Sequence, residues 1–140
     1  MSRFVRPESE KLTISDGDWI LVKRRLTAGE ERHAFARIVK RITLGVTATP
    51  ELDPEAIGLA KMVAYLLDWS LTDDAGHQVP IRDQPAGIVE MTLLSLDPAS
   101  FREIHDAIKA HAARQAEALD QEKKVLAGVS ASSPTSRSAA

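Results

Sequence analysis

The chain has 140 residues, 44% apolar and 27% charged, with no cysteine and a formal net charge of -2. That length suits one globular domain and that apolar fraction can build a core. The missing cysteine excludes a disulfide framework and thiolate metal sites, and the near-neutral balance calls for neither nucleic acid nor an anionic membrane. Charge is nonetheless uneven: residues 1–41 hold ten Lys/Arg against six Asp/Glu, whereas residues 51–120 hold five against thirteen. A basic front and an acidic middle suit head-to-tail self-association or two protein partners, although solubility alone could place charges this way. The first residues lack the apolar stretch of a signal peptide, and no apolar run nears the ~20 residues that span a bilayer, so a cytosolic protein is expected.

Residues 1–13 read as a flexible arm, followed by a turn at Ser15-Asp16-Gly17-Asp18. Trp19-Ile20-Leu21-Val22 is too short for a helix and predicts a strand running into Lys23-Arg24-Arg25. Thr27-Ala28-Gly29-Glu30 has the spacing of a capping box, and the helix it opens carries Phe35, Ile38, Val39 and Ile42 as one apolar stripe. Thr43 to Leu52 predicts a loop. Asp53-Pro54 starts a second helix, with Ala56, Leu59, Ala60, Val63, Leu66 and Leu67 as its buried face, running to about Asp68.

Residues 69–81, with the turn Asp73-Asp74-Ala75-Gly76, predict a small hairpin that Pro80 confines to an edge. A third helix is expected from Gln84-Pro85, carrying Ile88, Val89, Met91 and Leu94. Asp97-Pro98 launches the longest helix, whose face is Phe101, Ile104, His105, Ile108 and Ala112. Beyond Ala112 the stripe weakens, so the helix should project into solvent; residues 127–140, rich in Ala and Ser, read as a disordered tail. The expected fold is thus mainly α: one helical domain over residues 14–126, with a short N-terminal strand.

Candidate chemistry is sparse. His105 and His111 are six apart and read onto different helix faces, away from the i, i+4 spacing of metal ligands; His77 stands beside Asp73 and Asp74 without further ligands. No glycine-rich phosphate loop or activated-serine motif occurs. No catalytic, cofactor-binding or metal-binding residue is therefore assigned, and an enzyme is not expected. The candidates for partner binding are Trp19, Lys23, Arg24, Arg25 and Trp69, since tryptophans anchor interfaces as well as cores and a basic cluster can rim one.

Asp16-Gly17-Asp18-Trp19-Ile20-Leu21-Val22-Lys23, Leu26-Thr27-Ala28-Gly29-Glu30, Tyr65-Leu66-Leu67-Asp68-Trp69-Ser70-Leu71, Asp73-Asp74-Ala75-Gly76 and the block from Leu96-Asp97-Pro98 to Phe101-Arg102-Glu103-Ile104 together carry a resemblance. Over about residues 14–115 the chain resembles the tail assembly chaperones of long-tailed bacteriophages. The resemblance implies a protein of the host-cell cytoplasm that binds the tape-measure protein, helps recruit tail-tube subunits and is absent from the mature virion. It implies no catalytic residue and no cofactor. A structural or tail-completion protein of the virion is the alternative reading. A small DNA-binding regulator is a weaker one, because no helix presents a basic recognition face.

Overall fold

The computed structural model describes residues 3–44 and 54–130, with side chains over 3–38 and 56–125. Its elements are β1 (Ser9–Thr13), β2 (Trp19–Lys23), α1 (Ala28–Leu44), α2 (Pro54–Tyr65), β3 (Leu66–Trp69), α3 (Ala86–Leu94) and α4 (Pro98–Ser130). The chain divides into two compact units, residues 1–109 and 110–140, and α4 runs through both. The mainly α fold is the one expected; the expected short N-terminal strand is present, as the middle strand of a three-stranded sheet.

The sheet is antiparallel, in the order β1-β2-β3. Residues 9–13, expected in a flexible arm, instead pair with β2 from Ser9 opposite Lys23 to Thr13 opposite Trp19. The turn between them explains this. Asp16 and Gly17 both take positive φ (59° and 76°), and the Asp18 amide closes back on the Ser15 carbonyl at 3.1 Å. Positive φ at both central positions matches strand twist and makes a tight hairpin, which Asp-Gly adopts readily. The turn is also held from α4: the Ser15 amide and hydroxyl both donate to the Glu103 carboxylate, each at 2.8 Å.

β3 departs further from expectation. The second helix stops at Tyr65, and Leu66–Trp69 extends directly into a strand against β2. Ile20 faces Trp69, Leu21 faces Asp68 and Val22 faces Leu66, so Leu67 is an extra residue in the ladder. This bulge breaks the two-residue alternation and lets Leu66 and Trp69, three apart, both reach the core. Helix would have left β2 with an unpaired edge; strand pairing satisfies it and outweighs the local helical pattern. The expected hairpin over 69–81 reduces to one bridge between Thr72 and Gln78 around the Asp73 turn, where Asp73 Oδ1 accepts the Ala75 and His77 amides.

α1 and α4 begin where their caps dictate. The Glu30 amide donates to Thr27 Oγ1 (3.1 Å) and the Thr27 amide to Glu30 Oε1 (2.9 Å), a complete capping box. Asp97 accepts the Ser100 hydroxyl (2.7 Å) and amide (2.9 Å), and these bonds hold its carboxyl below the ordinary carboxylate range. α1 runs on through Thr43 and Leu44, the first two residues of the expected loop; the rest of that loop and the expected cap Asp53 lie outside the described residues.

The core draws Ile20 and Val22 from β2, Leu66 and Trp69 from β3, Ala34 and Ile38 from α1, Leu59, Ala60, Met62 and Tyr65 from α2, and Val89 and Leu93 from α3. Ile104 and Ile108 of α4 are also buried. Three expectations are corrected. Phe35 is 60% exposed, because Ala34 and Ile38 turn the first helix by one position; Val63 is only half-buried, its place taken by Met62. His111 is fully buried, since it lies seven residues after Ile104 on the same stripe, whereas His105 is half-buried as expected. Residues 116–125 of α4 are exposed, and the helix continues to Ser130, into the segment expected to be a disordered tail.

Gly58 makes the approach of α2 to α4 possible. A Cβ placed there would come within 2.3 Å of His105 Nε2 and 2.7 Å of Cδ2. Gly58→Ala should therefore cost about 1–3 kcal/mol through overpacking, despite alanine's better helix propensity. Chemical denaturation of the variant against wild type checks this; unchanged or raised stability would show that the imidazole swings aside freely.

Candidate protein-binding surface

Strand alternation divides the sheet into two faces. Ile20, Val22, Leu66 and Trp69 face the core. Trp19, Leu21 and Lys23 of β2 face outward with Ser9, Lys11 and Thr13 of β1, as their pairing register requires. Trp19 and Leu21 are only half-buried there, as is Leu67, which the bulge carries outward. The Lys11 ammonium sits 4.3 Å from the centroid of the Trp19 ring, a cation–π contact that partly shields the indole face.

This outward face opens into a cleft of about 390 Å³ whose floor includes Leu21 and Leu67. The cations Arg6, Lys23, Arg25 and Arg82 line it together with the carboxylates Glu8, Glu30 and Asp83. The acids temper the basic character read from the sequence. Lys23 forms an ion pair with Glu30, Arg24 pairs with Glu8 at 2.7 Å, and Arg82 reaches Asp68 at 3.5 Å. Burial alone would raise the Glu30 carboxyl, but the hydrogen bonds from Lys23 and Thr27 and the lysine charge outweigh it and hold the carboxyl below its ordinary value. An apolar floor with an alternating charged rim is the anatomy of a protein interface.

The five candidate residues therefore separate. Lys23 and Arg25 line the cleft, Trp19 shares the outward face of β2 without lining it, and Arg24 stands exposed at the strand end. Trp69 is elsewhere: it is 1% exposed, its indole N–H donates to the Val79 carbonyl at 2.9 Å, and it belongs to the core. It cannot touch a partner without unfolding β3. Sequence reasoning missed Leu21, Leu67 and Lys11 as members of the face. The Trp-Ile-Leu-Val alternation places Leu21 there once the core side is known, but the bulge that turns Leu67 outward leaves no sequence signal.

Among the described residues, no group of three or more His, Asp or Glu side chains is placed to hold a metal ion, and no helix is long and apolar enough to cross a membrane. His77 contributes its backbone to the Asp73 turn, with its amide at 3.0 Å from Asp73 Oδ1.

The Lys23–Glu30 pair sets a pH dependence. A carboxyl depressed in the fold adds stability at pH above its unfolded value and loses that contribution as pH falls through its folded value. Glu30→Gln keeps the capping shape but removes the charge. Because both side chains are about a third exposed, it should cost no more than about 1 kcal/mol at neutral pH. The difference should vanish in acid, and a gap that persisted there would assign the effect to lost packing instead.

A scan against protein-family models, a search of curated proteins and a search of solved structures each return no match for this chain.

Proposed function

We propose that this chain is a tail assembly chaperone of a long-tailed bacteriophage, acting in the host cytoplasm to bind the tape-measure protein and to help recruit tail-tube subunits around it. Two things support the reading. One is the resemblance over about residues 14–115, whose quoted residues include the capping box, the β2 strand and the Asp97-Pro98 helix start. The observation that carries it is the outward sheet face: Trp19, Leu21 and Leu67 remain partly open to solvent beside a charged cleft, on a scaffold that buries Trp69. A surface of this kind binds an extended or amphipathic polypeptide segment through apolar contacts, with rim charges setting encounter rate and register. Catalysis has no part in the proposal.

Reversing Lys23, Arg24 and Arg25 together would make a poor test, because Lys23 and Arg24 pair within the chain. Lys11 is better placed: it is exposed and stands over Trp19. Co-expression should keep the phage's tape-measure protein soluble, and Lys11→Glu should slow their association several-fold while leaving the melting temperature nearly unchanged. A tape-measure protein equally soluble without the chain would remove the chaperone reading. Stoichiometric copies in purified mature virions would favour the structural alternative.

A further inference from the structure

α3 is apolar on both sides, yet only one side is buried. Val89 and Leu93 point into the core. At 3.6 residues per turn, Met91 stands opposite their midpoint, with Ile88 and Leu94 to either side. These three are 44%, 66% and 54% exposed for Ile88, Met91 and Leu94, and together they make a contiguous patch. A helix that is apolar all round is normally covered all round, and patches of this kind mark interaction sites.

We propose that a second copy of this chain covers the patch, α3 packing antiparallel on α3 across a two-fold axis at Met91. The argument rests on the pattern of the face. Gly87 and Ser95 flank Met91 four residues before and after it, so large and small residues are distributed evenly about that centre. Antiparallel two-fold pairing then sets Met91 against Met91, Leu94 against Gly87 and Ile88 against Ser95, each large side chain over a small one. Such self-complementarity is what an isologous interface requires.

Gly87 is otherwise unexplained by its own chain. A Cβ there would meet nothing within 4 Å, and its φ is not in the left-handed region. A facing Leu94 would fill that notch. The face is also prepared to be dry: the hydroxyls of Thr92 and Ser95 already donate to the Ile88 and Met91 carbonyls at 2.8 and 2.9 Å. The one charged residue of α3, Glu90, lies to the side of this face, 3.2 Å from Arg37 of α1. Antiparallel pairing also aligns opposite helix dipoles.

This dimer goes beyond the chaperone reading and is tested on the purified full-length chain with no client present. Sedimentation equilibrium should show a reversible monomer–dimer equilibrium. Met91→Glu, which would bring two carboxylates together on the axis, and Gly87→Leu, which the free subunit accommodates, should each raise the dimer dissociation constant at least about tenfold with unchanged melting of the monomer. Because the chain has no cysteine, Met91→Cys should form a disulfide-linked dimer about tenfold or more faster than Phe35→Cys, which is similarly exposed but off the face. Mixed Ile88→Cys and Ser95→Cys chains should cross-link to each other. A chain that stays monomeric up to about 1 mM, a dimer indifferent to both substitutions, or equal cross-linking at positions 91 and 35 would overturn the proposal and leave the patch to a client or to another segment of the chain.

Discussion

The described structure is organised around the burial of one side chain, Trp69. It is the largest of the fully buried side chains, its N–H is satisfied by the Val79 carbonyl, and its backbone lies opposite Ile20 in the central strand. A tryptophan buries some 150–250 Å² and needs a partner for its nitrogen, so this placement fixes the segment after it as well as the strand it belongs to. Ser70 continues the tie: its amide donates to the Trp19 carbonyl, while its hydroxyl accepts the Trp19 amide and donates to Asp18. β3 could not remain helical and make these bonds.

The two faces of β2 follow from that arrangement. With Ile20 and Val22 committed to the core beside Trp69, the alternating residues Trp19 and Leu21 must point away. Nothing among the described residues buries them fully, and the N-terminal segment and the start of α1 rim Leu21 into a cleft. One tryptophan therefore serves the fold and the other remains partly open to solvent. The apolar outer side of α3 is a separate consequence of the core taking only Val89 and Leu93 from that helix.

Much of this was legible in the sequence because caps and strand periodicity act locally. Thr27 with Glu30, Asp97 with Ser100, and the Trp19–Lys23 strand are decided by residues within a few positions of one another. β1 was missed because Ser9–Thr13 offers one apolar residue, Leu12; the Asp16-Gly17 turn held the signal for it. β3 was missed because Leu66 and Leu67 extend the helical pattern of α2, and only the distant pairing with β2 overrides it. His111 was legible in principle, as the seventh residue after Ile104, but its six-residue spacing from His105 read it onto another face. The candidate surface was half legible: Trp19 and Lys23 were named, while Trp69 could be assigned to the core only once the pairing of β3 with β2 was known.

The central claim is that Trp69 is the core anchor and Trp19 the open one, and the chain's two tryptophans make it directly measurable. In Trp19→Phe, all tryptophan emission comes from position 69. The account predicts blue-shifted emission from that variant, nearly inaccessible to acrylamide under native conditions, with the red-shifted, quenchable component of the wild type gone. A Trp19→Phe protein that remains folded but whose single indole emits and quenches like one in water would contradict it.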